Sequence, residues 1–211
     1  MLDLYFIRHA ESEMNVKPEL IGGRCLWAQL TEKGIQQAVL LGQYLKENNI
    51  YFKEVHSSPV ARAQDTTKLV CTEQNFPLEK IILWNDLQEL SHGQYEGKQR
   101  KDCFTREVIE QMKTQHEFYR SPEGESQREV SQRMYQFVQD RFLWRYERAV
   151  IDNVTAGIFT HGMSIKCLLR EILQSDPRMT WKIDIDNTSI TQLKYDEKRW
   201  HVRGVNIVPH L

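Results

Sequence analysis

An apolar run near the start of the chain ends on two basic side chains. Leu4-Tyr5-Phe6-Ile7 is rich in aromatic and branched residues, as is typical of a buried strand, and Arg8-His9 follows it directly. A strand that stops on a guanidinium and an imidazole brings an anion-binding cation next to a nucleophile at the edge of a sheet. This pattern predicts a phosphate site at the carboxyl end of the first strand.

Strand and helix patterns alternate along the rest of the chain. We expect further strands at about residues 51–56, 81–84, 87–90, 156–160, 189–195 and 200–208, and helices at about residues 32–47, 60–72, 126–146 and 164–173. Such alternation predicts an α/β fold, a three-layer αβα sandwich with a mainly parallel central sheet. We expect residues 1–211 to form a single domain, with a helical and loop insertion at about residues 93–125 lying over the active site as a lid.

The composition gives no global reason to expect a nucleic-acid or membrane partner. The 28 lysines and arginines nearly balance the 29 aspartates and glutamates, which leaves a net charge of −1. No apolar run approaches the ~20 residues needed to span a bilayer, and the first strand begins without a signal-peptide pattern. We therefore expect a cytoplasmic protein in which any preference for anions is local.

The sequence implies neither a metal nor a cofactor. No Walker loop and no GxGxxG motif follows a strand, and the histidines outside the predicted site show no metal-ligand spacing. No cysteine has an arginine six positions later, which disfavours thiol-based phosphatase chemistry. Four cysteines without CxxC spacing are expected to be reduced thiols in packing roles: Cys25, Cys71, Cys103 and Cys167.

Three predicted strands are followed by residues suited to phosphoryl transfer. Because ligands of an open α/β sheet collect at the carboxyl ends of its strands, we expect Arg8-His9, Arg62 and His161-Gly162 to converge. His9 is the candidate nucleophile, and the planar guanidinium groups of Arg8 and Arg62 suit bidentate binding of phosphate. His161 would donate to the same oxygens, helped by backbone amides at the helix start marked by Gly162.

Phosphoryl transfer also needs a proton for the leaving oxygen, and Glu89 is the best candidate for its donor. It lies between apolar neighbours in Leu87-Gln88-Glu89-Leu90. A carboxyl group there could protonate a leaving alkoxide and later activate water. Asp86 and Glu96 are the competing candidates for this role.

The residues carry a resemblance to a known family, the phosphoglycerate-mutase-like branch of the histidine phosphatase superfamily. The segment from Arg8 to Asn15 is similar to its R-H-G-E-T-x-x-N signature, with Ala10 in place of glycine and Ser12 in place of threonine. Four further segments resemble family motifs in the family's order: Leu30 to Ala38, Ser57 to Thr66, Glu89 to Gly97, and Thr160-His161-Gly162.

This resemblance implies a role for each candidate residue. His9 carries the phosphohistidine and Glu89 is the proton donor. Phosphate is held by Arg8, Arg62, His161 and the helix start at Gly162, while Ser12 and Asn15 line the rim of the site. The two departures are not expected to abolish the site, because Ser12 keeps a hydroxyl group and Ala10 asks only that the backbone tolerate a Cβ.

The family contains mutases and several kinds of phosphatase, and its fold does not choose among them. Mutases of this branch resemble one another in an insertion that bears an adjacent arginine pair, which residues 93–125 lack. The segments Pro122 to Ser126 and Asn187 to Thr191 look more like the family's broad phosphatases. We therefore favour a phosphomonoester hydrolase; the alternatives are a mutase or sugar bisphosphatase, and a non-catalytic phospho-ligand binder.

The predicted partner is a phosphorylated small molecule, with a phosphoprotein as the alternative. We expect two stretches to contact the part of the substrate beyond its phosphate, residues 15–29 and residues 93–125. No heptad pattern or assignable apolar stripe indicates an oligomeric state.

Overall fold

The computed structural model describes residues 1–211, the whole chain. It contains strands and α-helices in the order β1 (Leu2–Arg8), α1 (Glu32–Glu47), β2 (Glu54–Ser57), α2 (Ala61–Glu73), β3 (Ile81–Leu83), α3 (Arg100–Cys103), α4 (Arg106–Gln115), α5 (Gln127–Val138), α6 (Trp144–Glu147), β4 (Val154–Thr160), α7 (Gly162–Leu173), β5 (Ile190–Asp196) and β6 (Arg199–Ile207). No helix combines the length and apolar character needed to cross a membrane.

One six-stranded sheet, in the order β3-β2-β4-β1-β5-β6, forms the middle of the molecule. Strands β3, β2, β4 and β1 are parallel, and the hairpin of β5 and β6 adds to β1 with β5 antiparallel. The prediction of a mainly parallel sheet is confirmed. Because β1, β2 and β4 are neighbours with one direction, the residues that follow them meet at one edge.

Side-chain alternation along β1 produces a layer of helices on each face of the sheet. Leu2, Leu4 and Phe6 belong to a buried cluster with α5 and α7. Tyr5 and Ile7 point to the other face, where they belong to a cluster with α1 and α2. The three-layer αβα arrangement expected from the sequence is thereby confirmed.

Helices α1 and α5 each begin with a side-chain cap. The Thr31 hydroxyl accepts a hydrogen bond from the Gly34 amide at the start of α1. At the start of α5, Ser126 and Glu129 form a reciprocal capping box. These caps fix where each helix begins, and α5 is thereby placed directly after the inserted segment.

The predicted helix over residues 126–146 is interrupted, since residues 139–143 form a π-helical turn between α5 and α6. Phe137 and Phe142 explain the interruption. In an α-helix two residues five apart would point about 140° away from each other. The wider turn lets both rings pack on His56, at centroid distances of 5.6 and 5.3 Å.

Two strand predictions needed correction. Strand β2 begins at Glu54 rather than at residue 51, and residues 87–90 form no strand. A 3-10 turn, Asn85–Leu87, precedes Glu89 instead. The Thr160 hydroxyl donates to the Leu87 carbonyl and the Ser164 hydroxyl to the Gln88 carbonyl, so side chains from the β4–α7 junction take the place of a strand ladder.

The inserted segment, residues 93–125, carries α3 and α4 and is tied to the loop that follows β1. Leu20 and Gln99 form an isolated antiparallel bridge, and the Gly97 amide donates to the Ile21 carbonyl at 2.8 Å. The two stretches expected to contact the substrate therefore lie side by side.

Candidate active site

Two histidines and an arginine meet where β1, β2 and β4 end. His9 follows β1, His161 follows β4, and Arg62 lies in the first turn of α2, as the sequence pattern indicated. The two imidazole centroids are 5.1 Å apart. The Arg62 guanidinium contacts both rings, with Nε donating to His9 Nε2 at 3.1 Å and Nη2 lying 3.3 Å from His161 Nδ1.

The hydrogen bonds of His9 determine which of its nitrogens can attack. Nδ1 lies 2.7 Å from the Ala10 carbonyl oxygen, and since a carbonyl only accepts, Nδ1 carries the proton. Nε2 is therefore the unprotonated nitrogen, and its lone pair accepts the hydrogen bond from Arg62 Nε. Burial, followed by the charges of Arg62 and Arg8, lowers the pKa of His9 well below its usual range. The imidazole is thus neutral near pH 7, which is the nucleophilic form.

Arg62 is almost fully buried and is held by the loop after β1. Its Nη1 donates to the Cys25 carbonyl at 3.0 Å and its Nη2 to the Gly23 carbonyl at 2.7 Å. Gly23 has a φ of +86°, a conformation that favours glycine. A cation at the positive end of α2 raises the local positive potential, so the pocket attracts an anion.

His161 is fully buried at the N-cap position of α7. Since Arg62 can only donate, Nδ1 of His161 accepts its hydrogen bond and Nε2 is the protonated nitrogen. The Nε2–H group donates a hydrogen bond to the Ser58 hydroxyl at 2.9 Å. Burial and the nearby Arg62 charge lower the pKa of His161 well below its usual range. This imidazole is also neutral at pH 7.

Arg8 lies beside the start of α7. Its Nη1 donates to the Ile185 carbonyl at 2.6 Å, while its Nε is buried without a protein partner. A Cβ added to Gly162 would lie 3.4 Å from that Nε, so glycine leaves room for the guanidinium there. A buried N–H group without an acceptor costs roughly 1–3 kcal/mol, which a bound anion would offset.

The carboxylate of Glu89 lies at the start of α7. It accepts hydrogen bonds from the amides of Leu90, Met163 and Ser164, at 2.9, 3.2 and 3.2 Å. The sequence predicted that the backbone amides at the start of α7 would bind phosphate. In the structure the Met163 and Ser164 amides donate to Glu89 instead, and the Gly162 amide does not. Glu89 is consequently fixed next to His161.

The competing carboxylates are occupied differently. Glu96 Oε1 accepts from the Ser91 hydroxyl and the His92 amide, which closes a turn. Asp86 contributes its backbone carbonyl to Arg133. Of the three carboxylates, Glu89 is the one that accepts hydrogen bonds from backbone amides at the start of α7.

Ser12 and Asn15 hydrogen-bond to each other in the loop that follows His9. The buried Ser12 hydroxyl donates to Asn15 Oδ1 at 2.9 Å. Asn187 Nδ2 donates to the His9 carbonyl at 2.9 Å and also lies 3.4 Å from Asn15 Oδ1. Sequence reasoning named Asn187 only as part of a motif and missed this contact. Ala10 is buried and does not have a positive φ, so the backbone there accommodates its Cβ.

Sequence reasoning also missed the support beneath Glu89. Arg24 Nε and Arg133 Nη2 each donate to the Glu89 carbonyl at 3.1 Å. Both arginines pair with the carboxylate of Glu125, at 2.8 and 3.1 Å. The sequence pointed to this support only through Glu125, which lies in the family-like segment Pro122 to Ser126. The sequence did not indicate that Arg24 and Arg133 are its partners.

The family model of the histidine phosphatase superfamily (branch 1) matches residues 4–208. Two relatives, both probable phosphoglycerate mutases GpmB, come from Yersinia enterocolitica and Yersinia pestis. They are 27% and 28% identical over 213 and 214 residues, in each case 97% of this chain and 90% of the relative.

Solved structures of similar fold include three at or above 25% identity, and two of them are compared with this chain. One is a phosphoserine phosphatase mutant from Entamoeba histolytica in complex with phosphoserine, with 25% identity, a TM-score of 0.83 and complete coverage of both chains. The other is Bacillus stearothermophilus YhfR, with 27% identity, a TM-score of 0.83 and coverage of 100% of this chain and 99% of that one. Because the family model matches nearly the whole sequence, this chain belongs to the histidine phosphatase superfamily (branch 1) and is a phosphatase-type enzyme.

Proposed function

We propose that this enzyme hydrolyses phosphomonoesters of small molecules in two steps through a phosphohistidine on His9, with Glu89 as the proton donor. The observation that carries the proposal is the state of His9: Nδ1 is held by the Ala10 carbonyl, which leaves Nε2 unprotonated beside Arg62. A neutral nitrogen nucleophile next to fixed cations is what transfer of a phosphoryl group requires.

In the first step, His9 Nε2 attacks phosphorus and the bond to the ester oxygen breaks. Arg8, Arg62 and His161 donate hydrogen bonds to the phosphoryl oxygens; for His161 this requires its Nε2–H to turn from the Ser58 hydroxyl to the substrate. The carboxyl group of Glu89 gives its proton to the leaving alkoxide. The amides of Met163 and Ser164 hold the Glu89 side chain at the start of α7, beside the leaving oxygen in this proposal.

In the second step, the Glu89 carboxylate takes a proton from water as the water oxygen attacks phosphorus. The bond between Nε2 and phosphorus breaks, inorganic phosphate forms, and the neutral imidazole is restored. Glu89 thus alternates between acid and base, and each half of the cycle returns it to the form that the other half needs.

Phosphoglycerate mutation is the second candidate, favoured by the names of the relatives at 27–28% identity. A mutase returns the phosphoryl group from His9 to a second hydroxyl of the bound acid, so it must hold that acid firmly. Residues 93–125 contain Lys98, Arg100, Lys101 and Arg106 but no adjacent arginine pair. This difference favours hydrolysis.

The test measures phosphate release from a panel of phosphoglycerates, sugar phosphates, nucleotides, phosphopeptides and para-nitrophenyl phosphate. We expect release that His9→Ala abolishes and that His201→Ala, an exposed control histidine, leaves unchanged. Interconversion of 2- and 3-phosphoglycerate stimulated by the bisphosphate would support the mutase instead. An intact protein that turns over no phosphomonoester would contradict the proposal.

A further inference from the structure

A cavity of about 1080 Å³ adjoins the proposed catalytic residues on the side of the inserted segment. It lies between α3 and α4 on one side and the 3-10 turn Pro177–Trp181 on the other. His9, Arg62 and His161 do not line it, but Leu90 and Met163 do. Leu90 follows Glu89, and the Met163 amide donates to the Glu89 carboxylate. The cavity therefore begins beside the proton donor, where the leaving alcohol departs.

Seven of the 19 residues that line this cavity are apolar, and most of the exposed lining surface is nonpolar. Two of them are strongly exposed for their type, Ile109 at 42% and Trp181 at 63%. Exposed apolar groups that converge on one concavity are characteristic of a site for an apolar ligand. The apolar lining consists of Leu90, Phe104, Ile109, Met112, Met163, Pro177 and Trp181.

Most of the cations at the cavity already have partners. Arg178 pairs with Asp176 at 2.9 Å and Lys113 with Glu110 at 2.9 Å. Arg100 donates to the carbonyls of Pro18 and Leu20. Lys101 is the fourth lining cation. Arg100 and Lys101 have no carboxylate partner, so the unneutralised positive charge at the cavity lies on α3.

One buried guanidinium connects the walls of the cavity. Arg170 of α7 is 4% exposed and pairs with Glu117, which follows α4. It also donates to the Thr180 hydroxyl at 3.2 Å and to Gln127 Oε1 at 2.9 Å. The inserted segment, the 177–181 turn and the start of α5 are therefore joined at a single side chain, which sets the distance between the walls.

We propose that this cavity binds a large apolar alcohol portion of the substrate, an aryl or long alkyl group; the inference rests on the proposed phosphatase function. Its volume of about 1080 Å³ is slightly above the ~300–1,000 Å³ typical of pockets that enclose drug-sized ligands. A three-carbon phospho-acid would leave most of it empty. Size and apolar lining together favour a bulky apolar ester over phosphoglycerate or phosphoserine.

Alkyl phosphates from ethyl to octyl, used below their micelle concentrations, test this inference. Their alkoxides have nearly equal basicity, so a trend in kcat/KM reports binding of the chain. Burial of a methylene contributes about 0.8 kcal/mol, or about four-fold, and we expect kcat/KM to rise at least 100-fold from ethyl to octyl. Trp181→Ala should lower the octyl-to-ethyl ratio about ten-fold.

Trp144→Ala is the matched control, since Trp144 is a similarly exposed tryptophan at 51%. It lies on α6, whose Arg145 pairs with Glu54 at the amino end of β2. The proposed active site lies at the other end of the sheet, where the parallel strands have their carboxyl ends. The control should leave both rates unchanged. Equal kcat/KM along the series, or a preference for phospho-acids, would overturn the inference while hydrolysis persisted. Absence of hydrolysis of every ester would instead overturn the proposed function, and this inference with it.

Discussion

The phosphate end and the alcohol end of the proposed site are built in opposite ways. At the phosphate end, His9, Arg62 and His161 are almost fully buried and hydrogen-bonded to one another. At the alcohol end, α3, α4 and the 177–181 turn supply eight of the 19 lining residues, and α4 has no buried residue.

This difference separates the chemistry from the choice of substrate. Side chains at the ends of central strands move little, because β1 and β4 pair along their whole lengths and pack on both faces. Helices on an inserted segment can change sequence without disturbing that core. The proposals for catalysis and for substrate class therefore depend on different parts of the chain and can fail separately.

The largest expected effect concerns Glu89. Glu89→Gln should lower kcat/KM for alkyl phosphates by about 10² to 10⁴, because an alkoxide needs a proton to leave. For para-nitrophenyl phosphate, whose leaving group is a weak base, the loss in kcat/KM should be much smaller. Steady-state rates with both esters measure the contrast.

The matched controls are Asp86→Asn and Glu96→Gln, the competing carboxylates. Neither should show this dependence on the leaving group. An equal loss with both esters in Glu89→Gln would mean that Glu89 does not donate the proton.

Hydrogen exchange should separate the two regions directly. The amides of β1 and β4 are expected to exchange at least about 10³-fold more slowly than those of α4, since local opening of an exposed helix costs far less free energy than global unfolding. Mass spectrometry of exchanged peptides reports both. Similar exchange rates in α4 and in the two strands would contradict the claim that the two ends of the site differ in local stability.

Arg62→Lys tests how the phosphate end depends on a planar donor. A lysine cannot contact both imidazoles and both loop carbonyls at once, so we expect kcat/KM to fall by about 10² to 10³, the usual cost of losing a group that stabilises the transition state. Arg199→Lys, at an exposed position on β6, is the control. Retained activity in Arg62→Lys would show that a point charge suffices.

The smallest effect is on stability against acid. Burial lowers the pKa of His9 in the folded protein, so below about pH 6.5 the unfolded chain takes up a proton that the folded chain does not. The free energy of unfolding should therefore fall as pH decreases, with His9 contributing up to about 1.4 kcal/mol per pH unit. His9→Asn should show a shallower decline in urea titrations without phosphate. Parallel curves for the two proteins would contradict a neutral, buried His9.

The convergence of the candidate residues at one edge of the sheet could be predicted from the sequence for a physical reason. Residues that follow parallel strands meet at one edge whatever the details of packing, so Arg8, His9 and His161 could be brought together without coordinates. The hydrogen bonds and ion pairs that hold these residues in place could not be predicted, because they join residues far apart in the chain. Arg62 donates to carbonyls in the β1–α1 loop, and Arg170 pairs with Glu117.

For the alcohol end, the sequence predicted which segment contributes to it but not the apolar character of its cavity. Residues 93–125 were expected to lie over the site, but their charged and apolar side chains do not indicate which of them face inwards. The apolar character of the cavity emerges only when Phe104 and Met112 meet Trp181, which lies more than sixty positions later. The π-helical turn after α5 was missed for a similar reason, since it depends on both Phe137 and Phe142 reaching His56.

The stereochemical course at phosphorus tests the central claim most directly. A phosphorothioate monoester made chiral with sulfur and two oxygen isotopes is hydrolysed in water labelled with the third oxygen isotope, and the configuration of the released inorganic thiophosphate is determined. Transfer to His9 and then to water inverts phosphorus twice, so we predict net retention. Net inversion would mean that water attacks the substrate directly, and would contradict a phosphohistidine intermediate.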